Sequence, residues 1–249
     1  MSGHSKWATI KRKKAANDAK RSNQFAKLLR AVEVAAKEGG GDPAANMTLA
    51  SAVEKAKASS VPNDNIERAI KRGGGADASA ARYEEITYEG YAPGGIALFV
   101  EALTDNRNRT AQDVRHAFTR NGGNLGETGS TAWMFTRKGV IVVEKDAAPD
   151  DERLFELALE AGAEDLNDSE SSWEVVTEPT ALAAVRDALR GAGIELFSAE
   201  LTMLPQSTIP VDGGEARKVL QLIEGLEDLE DVQSVYANFD IPEEVMASL

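Results

Sequence analysis

The chain has 249 residues, of which 42% are hydrophobic, and its formal net charge is −13. It has no cysteine, which excludes disulfides, thiolate nucleophiles and cysteine-based zinc sites. No apolar run approaches the roughly 18 residues of a membrane span, and no apolar segment follows the N-terminal lysines as in a secretory signal, so we expect a soluble cytoplasmic protein without a membrane partner.

The charge is distributed unevenly along the chain. Residues 1–30 contain nine Lys or Arg residues and a single acid, Asp18, so this segment carries +8. Residues 31–75 are neutral, which leaves −21 on the remaining 174 residues. A charge separation of this kind is typical of a basic head, here residues 1–30, that binds polyanions and is joined to an acidic body, here residues 76–249, that repels them. For the acidic part, solubility alone is the simpler explanation.

The first predicted element is a long amphipathic helix from about Ala8 to the glycines at 39–41. Its apolar face is defined by residues spaced three and four apart, namely Phe25, Leu28, Leu29, Val32, Ala35 and Ala36. The triple glycine ends the pattern. This helix carries the basic residues of the head.

Two shorter helices complete a predicted three-helix domain, residues 1–75. The second follows Asp42, with Met47 placed on its buried stripe. The third follows Pro62 and buries Ile66 and Ala69. Short connections favour a compact unit, and the glycine- and alanine-rich residues 73–81 are typical of a hinge.

A change of periodicity at residue 83 marks the start of an α+β region. Residues 84–91 and 96–103 alternate like strands on either side of a turn, a helix spans about 110–120, and a third strand is predicted at 131–135. The expected order is strand, strand, helix, strand.

The next segment, residues 139–206, has the pattern βαββαβ, which is typical of a ferredoxin-like domain. The helix predicted at 213–223 and the strand at 232–239 are too small to fold alone. We therefore assign 208–240 to the same domain as 83–135, with 139–206 inserted. The predicted fold is α+β, with an N-terminal three-helix domain followed by two ferredoxin-like α+β domains, one inserted in the other.

Catalytic signatures are missing from the sequence. The only two histidines are His4 and His116, and no HExxH, GxSxG or P-loop motif occurs. The carboxylates are dispersed as on a solvated acidic surface. We predict a protein that is not an enzyme, with no catalytic residue, no metal site and no cofactor.

The basic head is the strongest functional signal. Seven-residue intervals separate Lys6, Lys13, Lys20 and Lys27. Because a helix returns to the same side every seven residues, these cations form a stripe suited to the phosphates of a polynucleotide. The predicted contacts are Lys6, Lys11, Arg12, Lys13, Lys14, Lys20, Arg21, Lys27 and Arg30. For Trp7, stacking on a base and packing against the third helix both remain open.

Two further segments have the composition of anion sites. Arg107 and Arg109 lie in a polar loop at a helix N-terminus, where phosphate binding and internal pairing with Asp105 or a nearby Glu are equally consistent with the sequence. The glycine-rich residues 121–130 could present backbone amides to an anion. Because they follow a helix and lack lysine, a helix cap that continues into a turn explains them better.

Several ordered blocks resemble the YebC/PmpR family, which includes the mitochondrial translational activator of cytochrome oxidase subunit I. They are Gly3–Trp7, Asp18–Arg21, Asp42–Pro43, Asp64–Ile70, Tyr88–Tyr91, Leu103–Thr110 and Gly122–Gly126. The resemblance implies one N-terminal helical domain and two α+β domains, and no settled catalytic residues. It also implies either a DNA-binding transcriptional regulator or a ribosome-associated translation factor.

The residues themselves leave these functions open. A backbone-binding stripe without a base-reading cluster suits structured RNA as well as DNA. A third hypothesis is a protein-interaction module whose functional surface is the acidic body. The expected partner is therefore a nucleic acid, DNA or ribosomal RNA, with the ribosome as a further candidate. The sequence does not determine the oligomeric state.

Overall fold

The computed structural model describes residues 18–75, 83–148, 150–169 and 171–241, with side chains from residue 22 onward. Within these ranges the chain forms two compact units. The first contains residues up to 130 together with 212–235, and the second contains 131–211 together with 236–241. The described chain therefore passes between the units three times.

The helical part of the first unit consists of three helices, α1 (Asp18–Gly39), α2 (Met47–Ala58) and α3 (Asn63–Gly74). Their shared core is apolar and is made of Val32, Ala35, Ala36, Leu49, Ala56, Val61, Ile66 and Ala69. The predicted faces of α1 and α3 are thus confirmed. The prediction for Met47 is wrong, because its side chain is 73% exposed at the start of α2 and Leu49 fills the core instead.

The junction between α1 and α2 depends on Asn46. Its Nδ2 donates to the carbonyls of Ala35 at 2.7 Å and Gly40 at 2.9 Å, while its Oδ1 accepts from the Leu49 amide at 3.0 Å. One buried side chain therefore caps α2 and satisfies carbonyls at the end of α1.

Close packing of α1 against α3 requires a glycine at position 73. A Cβ there would lie 2.0 Å from the Glu33 carbonyl oxygen and 2.9 Å from the Ala36 Cβ. The two helices can approach this closely only because Gly73 has no side chain.

The first unit also contains a four-stranded sheet and two helices. The strands are β1 (Glu84–Tyr91), β2 (Ala97–Thr104), β3 (Asn124–Leu125) and β9 (Val232–Ala237, of which 232–235 belong to this unit), in the order β3-β1-β2-β9. The helices are α4 (Arg107–Arg120) and α7 (Gly213–Glu227), which contact each other and bury Phe118 and Leu222. Strand β9 joins β2 although the second unit lies between them in sequence.

The predicted strand at 131–135 is wrong. Residues Ala132–Met134 form a 3-10 turn, and Phe135 begins a strand of the second unit. The third strand of the first sheet is the two-residue β3 instead, which pairs with Gly90 and Tyr91. A two-residue strand is too short to produce an alternating pattern, so periodicity cannot detect it.

The second unit has the predicted βαββαβ order. Its sheet contains β4 (Phe135–Glu144), β5 (Ala163–Asp168), β6 (Ser172–Thr177) and β7 (Ser198–Pro205), ordered β5-β6-β4-β7 and antiparallel throughout. This is the ferredoxin-like strand order. Helices α5 (Asp151–Glu160) and α6 (Leu182–Gly191) cover a core that includes Ile141, Val175 and Leu189. Short strands β8 (Ile209–Pro210) and β10 (Phe239–Asp240) pair in parallel.

The α+β class is confirmed. We keep as a prediction the three domains 1–75, 83–135 with 208–240, and 139–206. The two compact units divide the described chain differently, since one of them contains both the three helices and the first sheet. Part of the predicted hinge, residues 76–81, lies outside the described residues. Among the helices of the described ranges, none is long and apolar enough to cross a membrane.

Candidate nucleic-acid interface

Most of the predicted stripe precedes the described side chains. Lys6, Trp7 and the four cations at 11–14 lie outside the described residues. Lys20 and Arg21 lie on the first turn of α1 described by the structure, where only the backbone is defined. Lys27 and Arg30 are the members of the stripe whose contacts can be followed.

Three side chains on one face of α1 reach the C-terminal end of α7. Asn23 Nδ2 donates to the Asp228 carbonyl at 2.9 Å, Lys27 Nζ donates to the Glu227 carbonyl, and Arg30 Nη1 donates to the Glu230 carbonyl at 3.1 Å. The last carbonyls of a helix lack partners within the helix and carry partial negative charge. Lys27 therefore complements the end of α7, and Arg30 extends the contact to the loop that follows it.

The Arg30 guanidinium has several partners and little exposure. It donates to Asp231 Oδ1 at 2.9 Å, to Glu230 Oε1 at 2.8 Å and to the Leu103 carbonyl at 3.3 Å. It also lies 5.1 Å from the centre of the Tyr83 ring. Only 11% of the side chain is exposed. A phosphate could reach Arg30 only by displacing these contacts.

Asp231 is the acceptor on which the surrounding elements converge. Its Oδ2 accepts from Arg109 Nη2 at 2.9 Å, from Thr110 Oγ1 at 2.7 Å and from Thr104 Oγ1 at 3.1 Å. The residue is 4% exposed. Burial alone would raise the pKa of this carboxyl, but the hydrogen bonds from Arg109, Thr110 and Thr104 outweigh it, and the pKa is lowered.

Arg107 and Arg109, which were predicted to lie in a polar loop, lie in the first turn of α4, and both pair with acids of the first unit. Arg109 Nη2 contacts Asp105 at 2.9 Å as well as Asp231, and these hydrogen bonds raise the pKa of its guanidinium. Arg107 lies 3.6 Å from Glu84 and is 68% exposed. Internal pairing, one of the two alternatives for this loop, is present. Phosphate binding by Arg107 and Arg109 stays a prediction.

The glycine-rich residues 121–130 cap α4 and then surround an internal carboxylate. The Asn121 amide donates to carbonyls of the last turn of α4, and Gly122 adopts a positive φ of 75°. Further along, Gly126 donates to the Glu89 carbonyl at 2.8 Å and Gly129 donates to Glu89 Oε1 at 2.6 Å. The loop is a cap that continues into a turn, and the Glu89 carboxylate accepts one of its amides.

In the part of the chain that the structure describes, no group of three or more His, Asp or Glu side chains is arranged to hold a metal ion. His116 lies exposed on α4, and His4 falls outside the described residues.

Both parts of the chain match one family of proteins. The N-terminal domain of the TACO1/YebC proteins matches residues 5–76, and their second and third domains match residues 83–239. The chain belongs to the TACO1/YebC family. The resemblance found in the sequence motifs is therefore confirmed.

Relatives within the TACO1/YebC family are similar over their full length. A protein of Rubrobacter xylanophilus is 59% identical over 249 residues, which cover 100% of this chain and 99% of the relative. A protein of Mycolicibacterium smegmatis is 57% identical with the same coverage. Both are named probable transcriptional regulatory proteins.

A solved structure shares the fold. The crystal structure of a conserved hypothetical protein from Aquifex aeolicus aligns with a TM-score of 0.81 and 46% identity, covering 92% of this chain and 94% of that one. The α+β architecture of this TACO1/YebC chain is thus shared with a crystallographically determined protein.

Sequence reasoning missed Asp231 and the role of the C-terminal end of α7. The TACO1/YebC block Leu103–Thr110 supplies Thr104, Arg109 and Thr110 to the Asp231 network. The spacing of Asn23, Lys27 and Arg30, at four and then three residues, was a signal that one face of α1 contacts another element. Nothing local marks Asp231 among the chain's 41 acidic residues as their target.

Proposed function

We propose that this chain is a non-enzymatic, nucleic-acid-binding regulator of gene expression that acts on transcription by binding the phosphate backbone of DNA. The observation that carries the proposal is the charge separation: +8 on residues 1–30 in a chain whose net charge is −13. Neutralising phosphates with such a segment releases counterions, which drives binding without base contacts. The names of the full-length relatives as probable transcriptional regulatory proteins support the same function.

The contacts of α1 narrow the binding segment. Lys27 and Arg30 donate to carbonyls and carboxylates of the first unit. We therefore assign backbone binding to the seven cations that precede them, Lys6, Lys11, Arg12, Lys13, Lys14, Lys20 and Arg21. Arg107 stays a candidate for an auxiliary contact because it is 68% exposed and its pairing with Glu84 is long, at 3.6 Å.

Charge reversal with a matched control tests this assignment. Lys13→Glu, Lys20→Glu and Arg21→Glu together change the net charge by −6. The control Arg137→Glu, Arg153→Glu and Arg190→Glu makes the same change at exposed positions of the second unit. Binding of labelled duplex DNA is followed by fluorescence anisotropy between 50 and roughly 300 mM salt, a range in which counterion release is readily measured.

The variant with Lys13→Glu, Lys20→Glu and Arg21→Glu, the head variant, is expected to bind duplex DNA weakly and with a reduced salt dependence. Loss of three phosphate contacts lowers the slope of log K against log salt by about 3. The control should retain most of the wild-type affinity. Equal losses in both variants would attribute binding to overall charge instead of to the head, and unchanged binding of the head variant would remove residues 13, 20 and 21 from the interface.

The second candidate is a ribosome-associated translation factor. It is favoured by the bond from the Asn23 amide to the Asp228 carbonyl, because this bond occupies a side chain of the type that reads base edges. Sedimentation of the protein in a sucrose gradient distinguishes the candidates. Migration with ribosomal subunits at low salt, lost in the head variant, supports translation. Absence from ribosomal fractions together with enrichment on chromosomal DNA supports transcription.

A further inference from the structure

Asp231 is held firmly by the sheet-containing part of the first unit. Thr104 ends β2, while Arg109 and Thr110 lie in the first turn of α4, and all three donate to Oδ2 of this carboxylate. Thr110 Oγ1 also lies 2.8 Å from Thr104 Oγ1. The carboxylate therefore has a fixed position and orientation before any contact with α1 is counted.

Helix α1 meets this part of the unit at three points along its length. Asn23, Lys27 and Arg30 donate to carbonyls 228, 227 and 230, and Arg30 adds the bond to Asp231. Seven residues of helix extend about 10 Å, so the contacts define the direction of the axis as well as one point on it. Of these contacts, only the Arg30 bond to Asp231 places a charged group on a buried carboxylate.

We propose that Asp231 is a positioning residue for nucleic-acid binding: by anchoring Arg30, it fixes the direction of α1, the helix on which Lys20 and Arg21 lie. The inference rests on the proposed function and deepens it, since it assigns a role in polyanion binding to an acidic residue. Asp231 itself touches no nucleic acid.

Positioning has a consequence that charge alone does not predict. When only a fraction of the molecules holds the binding-competent orientation, the apparent affinity falls by that fraction. Asp231→Asn makes the protein less negative, so simple electrostatics predicts equal or tighter binding of a polyanion. Loss of the anchor predicts weaker binding. The sign of the effect therefore separates the two explanations.

Asp231→Asn is compared with Asp113→Asn, an exposed position on α4 of the same unit with the same chemical change. In Asp231→Asn, an NH₂ group replaces one carboxylate oxygen and faces the N–H groups of Arg30 or Arg109. At least one of these arginines therefore loses a hydrogen bond to residue 231. We expect duplex DNA affinity to fall about tenfold at constant salt if a tenth of the molecules keeps the orientation. We expect Asp113→Asn to bind as the wild type or slightly tighter.

Hydrogen exchange provides a readout that does not depend on nucleic acid. The amides of α1 should exchange faster in Asp231→Asn than in the wild type, whereas those of β4 and β6 should not change. Arg30→Lys keeps the charge but replaces the guanidinium, which donates through Nη1 and Nη2, by a single ammonium nitrogen. It should reproduce both effects, and it serves as the folded test should Asp231→Asn not fold.

A crosslink tests whether orientation is the cause. The chain has no cysteine, so Asn23→Cys with Asp228→Cys introduces a single pair, which a short bismaleimide can join. Asn23 already bonds to the Asp228 carbonyl, so the two positions are adjacent. Crosslinking should restore the affinity of Asp231→Asn to the level of the crosslinked protein that retains Asp231.

The outcomes distinguish the two proposals. Wild-type DNA binding with unchanged or tighter binding by Asp231→Asn overturns the positioning role and leaves the proposed function intact. Weaker binding that the crosslink does not restore also overturns it, because the defect is then not one of orientation. A wild-type protein that binds no nucleic acid overturns the proposed function and the positioning role together.

Discussion

Arg30 and Asp231 are 201 positions apart in sequence, and their side chains meet at 2.9 Å. Arg30 belongs to the long basic helix and Asp231 to the loop between α7 and β9. Both are largely buried, with side-chain exposures of 11% and 5%. Breaking a buried pair leaves a charge without compensation and is strongly destabilising, whereas exposed pairs contribute little. This contrast yields the first prediction.

Arg30→Met is expected to lower the free energy of unfolding by about 2–3 kcal/mol, because several hydrogen bonds to charged groups are lost from a buried site. The control is Arg72→Met. Arg72 pairs with Glu33 at the same distance, 2.9 Å, but is 58% exposed, so its loss should change stability by less than about 1 kcal/mol. Urea unfolding measures both. Equal losses of unfolding free energy in the two variants would show that burial does not determine how much an ion pair stabilises the protein.

The lowered pKa of Asp231 predicts a stability that decreases in acid. A carboxyl with a folded-state pKa below its unfolded value of about 3.9 stabilises the protein above that pH, and loses its contribution as the pH falls through the folded-state pKa. Unfolding free energies of the wild type and Asp231→Asn between pH 7 and pH 3 isolate this contribution. Their difference should be constant above about pH 5 and narrow below about pH 4. A constant difference throughout would contradict the assignment.

Gly73→Ala is expected to destabilise the helical part of the first unit by about 1–3 kcal/mol, because a Cβ would overlap the Glu33 carbonyl oxygen at 2.0 Å and force α1 and α3 apart. At the adjacent Gly74 a Cβ would make ordinary contacts with Gly41, whose Cα would lie at 3.4 Å and whose N would lie at 3.5 Å. Gly74→Ala should therefore be neutral or stabilising by up to about 1 kcal/mol. Thermal unfolding of both variants gives the comparison, and similar midpoints would contradict the close packing.

Substitutions of Asn46 separate helix capping from carbonyl binding. Asn46→Asp keeps the acceptor for the Leu49 amide but loses both donors to the Ala35 and Gly40 carbonyls. Capping alone predicts no change. Since a buried carboxylate would face two carbonyl oxygens, we expect Asn46→Asp to cost about 2 kcal/mol or more near neutral pH. Wild-type stability of Asn46→Asp in urea unfolding would show that the carbonyl bonds contribute nothing.

Local pattern predicted the elements that repeat over many residues. The apolar face of α1, the buried face of α3 and the βαββαβ order of the second unit follow from spacing along the chain, and the structure contains them. The local pattern failed to predict short elements and the ends of elements. Met47 is exposed because it lies about 200° around α2 from Leu49, which is buried, and β3 has only two residues.

The candidate site divides in the same way. The sequence by itself determined that the positive charge is concentrated in residues 1–30, and its periodicity predicted that a helix carries these cations as a stripe, because charge and periodicity are properties of neighbouring residues. Only the tertiary structure decided which of these cations bind the protein itself. Lys27 and Arg30 contact α7 and the loop after it, and Arg109 and the Gly129 amide contact Asp231 and Glu89. Those partners are remote in sequence, and their carboxylates resemble any other acid of the chain until folding removes them from water and places them beside the arginines and amides that they bind.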